Sequence, residues 1–207
     1  TGGAEAVADY ELLELVLFLA QARGDVKPLA KGLISRFGGF AEVISASTTD
    51  LAKVPGVGDA ALASLKTVHA AALRLMAEPL IKRPVLRTWD QLIAYCRASM
   101  GFEKVEEFRV LYLDRKNLLV GEEIHQRGTV DHTPVYPREV VRKALEHGAS
   151  AMIMVHNHPS GDTTPSKADI EMTNEVAKAA STLGIVLHDH VIVGRSGHTS
   201  FKATGLL

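Results

Sequence analysis

The run Ala149 to Val155 is broken only by Ser150 and ends abruptly at His156-Asn157-His158. Ala151, Met152, Ile153, Met154 and Val155 show no helical or alternating pattern, which fits a strand buried on both faces. A strand of that kind ends at the carboxyl edge of an α/β sheet, where sites in such folds usually lie. Alternation in an extended segment points His156 and His158 to the same side, so two imidazoles can share one ion. Pro159, Gly161 and Pro165 shape the following segment into a turn. Ser166 then fits a helix N-cap with Asp169 at the third helical position. Two histidines and a carboxylate form a common hydrolytic zinc set that leaves a fourth position for water. An isolated His-x-His is more often a solvated or hydrogen-bonded pair, and an isolated Ser-x-x-Asp is a capping box. Together they favour a metal.

The spacing His156-x-His158, seven residues, Ser166, two residues, Asp169 resembles the JAB/MPN/JAMM metalloprotease motif without departure. HNHPSGD, with GTVDHTPVYPRE before it and DHVIVG after it, resembles the RadC family within that superfamily. The likeness covers nearly the whole chain. It implies Zn2+ held by His156, His158 and Asp169, an upstream glutamate acting on the water, and Ser166 assisting the transition state. The implied fold is α/β (α+β), a JAB/MPN-type mixed sheet flanked by helices, preceded by a small all-helical helix-hairpin-helix-like domain.

The 207 residues, 46% hydrophobic, suffice for one or two cored domains. Residues 1–80 read as helical, with an apolar stripe from Tyr10 to Ala22, a second helix from Leu29 to Phe37 stopped by Gly38, and an Ala- and Leu-rich helix from Ala60 to Met76. Between the last two, Val54-Pro55-Gly56-Val57-Gly58 resembles the helix-hairpin-helix turn, in which glycines let backbone N–H groups approach a phosphate. Lys53 and Lys66 would add charge there. A tight turn needs the same glycines with no phosphate present. The formal net charge of −1 supplies no global attraction to nucleic acid, so any DNA binding through this part is non-specific. Pro79 and Pro84 place a linker over 81–87, and the zinc domain is expected over 88–207.

In the second domain the period changes to two. Phe108–Asp114 and Leu118–Gln126 read as a hairpin, and the second strand carries Glu122 and Glu123 in its middle. The family resemblance, counted five back from Gly128 of the Gly-Thr pair, assigns the general base to Glu123. Glu122 is the alternative if the register slips. Val130 to Pro137 reads as a loop carrying Asp131, His132 and Tyr136, and His132 and Arg138 are left outside the inner ligand set. The last strand carries His188, Asp189 and His190; Asp189 or His190 is expected to hold a metal-bound histidine in its tautomer rather than to ligate.

The single Cys96 excludes an internal disulfide and a cysteine-based zinc site, and reads as an inert helical thiol. No apolar run reaches the length of a membrane span and no signal peptide is visible, so the expected compartment is the cytoplasm. Thr1 is not a start residue, so the original N-terminus is expected to be missing. The expected activity is a zinc metallopeptidase acting on a protein or peptide substrate, with Glu123 and Ser166 catalytic. Two alternatives are a DNA-associated repair or recombination accessory protein and a non-catalytic scaffold; a nuclease or deaminase would use the same zinc.

Overall fold

In the computed structural model, which describes residues 6–21, 23–128 and 135–207, the strands form one sheet. They are β1 (Glu106–Leu113), β2 (Leu119–Gly128), β3 (Ala151–Asn157), β4 (Val186–Val193) and β5 (His198–Ser200), in the order β2-β1-β3-β4-β5. All neighbours are antiparallel except β3 and β4, which run parallel. The helix joining that pair is α8, Lys167–Ser181, as a parallel connection requires.

Every residue of β3 is buried, as its composition requires. Alternation sorts the two faces. Leu111 and Leu113 of β1 with Ile153 and Val155 of β3 pack under α6, Trp89–Met100. Phe108, Val110 and Tyr112 with Met152 and Met154 pack under α7, Pro137–Glu146, and α8. The second unit is thus a mixed sheet between helices, as expected. Pro137 occupies the first turn of α7, where its missing N–H costs nothing.

The chain divides into Thr1–Arg74 and Leu75–Leu207. The first unit holds α1 (Asp9–Ala20), α2 (Lys27–Phe37), α3 (Phe40–Ser45), α4 (Thr48–Leu51) and the start of α5 (Asp59–Lys82). Its core includes Leu13, Leu17, Leu33, Leu51 and Leu65. The division falls within α5. Helix α5 runs on through Pro79 to Lys82, and Leu80 and Val85, both 0% exposed, belong to the second unit's core. Burying those two side chains outweighs the single backbone hydrogen bond a proline removes. Among the described residues, no helix is long and apolar enough to cross a membrane.

Candidate metal centre

His156 is the second-last residue of β3, and alternation gives it the same face as Phe108, its partner across the β1 ladder. Its neighbour Asn157 points the other way and is fully buried. There the Asn157 side chain accepts from the backbone N–H of Glu107 at 2.7 Å and donates to the carbonyls of Glu103 and Val105 at 3.3 and 3.2 Å. The chain entering β1 is thereby fastened to the end of β3. His158 follows, and the turn after it is held by Asp162, whose carboxylate accepts from the backbone N–H and hydroxyl of Thr164 at 2.9 and 2.7 Å. Gly161 takes φ +87, a conformation that side chains resist.

Ser166 caps α8 as its sequence context predicts. Its hydroxyl accepts from the backbone N–H of Asp169 at 3.1 Å and donates to Asp169 Oδ2 at 2.7 Å, and the same carboxylate oxygen accepts the Ser166 backbone N–H at 2.8 Å. The cap aims the carboxylate back at the strand end. Nε2 of His156 lies 3.0 Å from Nε2 of His158 and 3.3 Å from Asp169 Oδ1, and Nε2 of His158 lies 3.7 Å from Asp169 Oδ2. Ligand atoms bound tetrahedrally at about 2.0–2.1 Å from zinc are about 3.3 Å apart, and one ligand atom from each of the three residues lies within 4.8 Å of the other two, close enough for a small adjustment to enclose one ion.

The histidine tautomers support the same reading. Nδ1 of His158 sits 2.6 Å from the carbonyl oxygen of Asp162, which only accepts, so the proton of the neutral ring is on Nδ1 and the Nε2 lone pair is free. Two imidazole lone pairs facing a carboxylate at these distances call for a cation. Without a metal, a proton can serve: the neighbouring Asp169 carboxylate raises the pKa of His158 above its ordinary value, against the opposing effect of burial. Burial pushes the Asp169 carboxyl up, but the adjacent His158 and His156 imidazoles and the Ser166 contacts outweigh it and leave Asp169 well below the usual carboxylate range. Burial pushes His156 down to about 4.

The two glutamates of β2 lie on opposite faces of the sheet. Glu122 pairs with Leu111 and so lies on the α6 face, where its carboxylate accepts from the Tyr95 hydroxyl at 2.8 Å and from Arg109 at 2.5 Å. Glu123 lies on the His156 face but pairs with Val110, and its carboxylate is 3.1 Å from Nε2 of His147 and 3.6 Å from Nζ of Lys143. His147 stacks on Tyr112, whose β3 partner is Met152. Val110, the β1 partner of Glu123, faces Met154, two residues before His156, and the Glu123 carboxylate is turned to His147 and Lys143.

Glu106 shares the face of Phe108 and lies two residues before it, just beyond the last β1–β3 pair, Phe108↔His156. Burial raises its pKa, with His158 lowering it and Asp169 raising it, so its charge lies within reach of both ligands. A strand read as starting at Phe108 leaves Glu106 in the preceding loop; an earlier start, from the Glu-Glu-Phe-Arg-Val alternation, was the signal that would have found it.

Elsewhere, His190 lies directly behind His156, with Nε2 at 2.8 Å from His156 Nδ1. Asp189 turns away and is buried as an acceptor for the Ser200 hydroxyl and for the backbone N–H groups of His190 and Lys202. His188 is engaged with Asn117 Oδ1 at 2.7 Å. Arg138 lies over the Tyr136 ring. Thr129 to Pro134, including Asp131 and His132, fall outside the described residues. Burial pushes the Cys96 thiol up to about 12, which makes it inert. In the first unit, Gly56 takes φ +91 and a Cβ on Gly58 would meet nothing within 4 Å, but Lys53 pairs with Asp50 at 3.1 Å and Lys66 donates to the Ile44 carbonyl at 3.0 Å. Asp59 opens α5 with a negative charge where a phosphate would approach.

A family model described as RadC-like JAB domain matches residues 86–206. A UPF0758 protein of Rhodobacter capsulatus is 57% identical over 207 residues, 100% of this chain and 97% of its own length. A UPF0758 protein of Ruegeria pomeroyi is 53% identical over 207 residues, 100% of this chain and 92% of its own length.

Proposed function

The chain belongs to the RadC-like JAB domain family, and from that premise we propose that it is a zinc-dependent hydrolase cleaving an amide or isopeptide bond in a protein or peptide. The observation that carries the reading is the convergence of His156 Nε2, His158 Nε2 and the Asp169 carboxylate within 4.8 Å of one another. These three would hold zinc, which supplies Lewis acidity and lowers the pKa of water at its open position to about 7.

The remaining roles belong to side chains. Glu106 and Asp169 are neighbouring carboxyls driven in opposite directions, Glu106 upward by burial and Asp169 downward by its histidine and serine partners. That split is how paired carboxyls come to serve different purposes. The depressed Asp169 remains a ligand at any working pH. Glu106 is suited to take the proton of the attacking water and return it to the leaving amine. Ser166 turns its hydroxyl from Asp169 Oδ2 to the substrate carbonyl oxygen as negative charge develops there, a contribution of about 3 kcal/mol for donors of this type.

The test is elemental analysis of the purified protein followed by assay on a panel of peptide and isopeptide substrates. About one zinc per chain is expected, lost in His156→Ala/His158→Ala and in Asp169→Ala. Glu106→Gln should keep the zinc and lose at least about a hundredfold in turnover, the usual worth of a positioned base. Glu123→Gln should retain activity; the opposite pattern would return the base to Glu123. Wild-type protein that takes up no zinc when it is supplied would remove the hydrolase reading.

A further inference from the structure

Behind His156 runs a line of buried polar atoms. Nδ1 of His156 meets Nε2 of His190 at 2.8 Å, Nδ1 of His190 meets the Thr173 hydroxyl at 2.6 Å, and that hydroxyl meets the carbonyl oxygen of Asp169 at 2.5 Å. His156, His190 and Thr173 are each 0% exposed, so no bulk water competes for these atoms. The rings of Phe108 and Phe201 pack against His190 at 5.7 and 4.5 Å between centroids.

The direction of each bond follows from the far end. A carbonyl oxygen only accepts, so the Thr173 hydroxyl proton goes to Asp169. The Thr173 oxygen must then accept from His190, which places the His190 proton on Nδ1. An imidazole enclosed by aromatic rings is neutral and carries one proton, so Nε2 of His190 is bare and accepts from Nδ1–H of His156. His156, likewise neutral, is left with its Nε2 lone pair facing His158 and Asp169.

We propose that His190 and Thr173 form a relay that fixes His156 in the Nδ1–H tautomer, presents Nε2 to the metal, and ties that ligand to the backbone of a second ligand, Asp169. The relay rests on the metal reading of the three ligands. His190 and Thr173 are positioning residues that reach the ion only through His156. The arrangement is closed at both ends: it starts on a ligand ring carried by β3, crosses β4, and ends on the first turn of α8. A metal-ligating histidine generally needs such a partner on its other nitrogen, and removing one typically costs 10–100-fold in metal affinity.

The experiment pairs zinc affinity, measured by competition with a chromophoric chelator at pH 7.5, with the imidazole 15N spectrum of the intact metal-free protein. The spectrum of the wild type should show both His156 and His190 protonated on Nδ1. Thr173→Val should weaken zinc binding roughly 10–100-fold and move the His190 proton to Nε2, with the Trp89 fluorescence unchanged, while Thr173→Ser should restore both readouts. A His190 protonated on Nε2 in the wild type overturns the relay, as does a Thr173→Val variant that binds zinc like the wild type with its His190 tautomer unmoved. A wild type that binds no zinc overturns the metal reading instead, and the tautomers of the metal-free protein still decide the relay.

Discussion

At the scale of single residues, His156 joins an exposed function to a buried environment, and stability should show it. Its pKa is pushed down to about 4 by burial, whereas the unfolded chain takes the proton at about 6.5. Between those values the unfolded state binds more protons, so stability is complete above pH 6.5 and is lost as the pH falls toward 4. His190, lowered well below its ordinary value by burial, adds loss of the same sign. His158, raised by Asp169, acts in the opposite direction, but its contribution is complete by about pH 6.5. Metal-free protein unfolded in urea at pH 7.5 and again at pH 4.5, followed through Trp89, should lose roughly 3 kcal/mol at the lower pH. Equal stabilities would mean that the ring is not buried as neutral imidazole. The convergence of His156, His158 and Asp169 was legible in sequence because their placement is local, with strand alternation for the histidines and a capping box for Asp169. Glu106 was not, because what brings it to His158 is a ladder between strands about 50 residues apart, and pairing register is not written in either strand alone.

At the scale of elements, the carboxyl ends of β3 and β4 meet through backbone rather than side chains. A Cβ on Gly194, just past β4, would lie 2.7 Å from the Gly161 carbonyl oxygen and 3.1 Å from a Thr163 methyl. Gly194→Ala should therefore push out the turn that carries the Asp162 carbonyl holding His158 while leaving the sheet paired. The expected result is zinc affinity lowered roughly tenfold with an unchanged far-UV spectrum; unchanged affinity would show that the turn yields without moving His158. The Asn157 clamp serves the other side of the site. Replacing it by Ala leaves the buried backbone N–H of Glu107 and the part-buried carbonyls of Glu103 and Val105 without their partner, and should cost about 1–3 kcal/mol in urea unfolding read through Trp89. Most elements were readable from periodicity and caps. The boundaries that moved were those set by distant packing: α5 continues through Pro79 because Leu80 has a core to enter, and β1 begins two residues early because Asn157 fastens its entry.

At the scale of the whole chain, the two units carry separate cores. Leu13 is 0% exposed in the first, so Leu13→Ala should destabilise that unit by about 2–5 kcal/mol, seen as an earlier loss of helical signal on heating. Zinc stoichiometry and the Trp89 transition, which belong to the second unit, should not change. A fall in zinc content would instead reveal dependence of the metal centre on the first core. The three ligands all come from one strand, one turn and one helix start within residues 156–169, whereas the glutamate facing them arrives with β1. On the proposed reading, holding an ion and using it are thus encoded in separate stretches of the chain. A lineage that altered only the entry to β1 would keep the ion while losing turnover, so a metal-retaining relative without activity is one substitution away, and selection on the two properties can proceed independently.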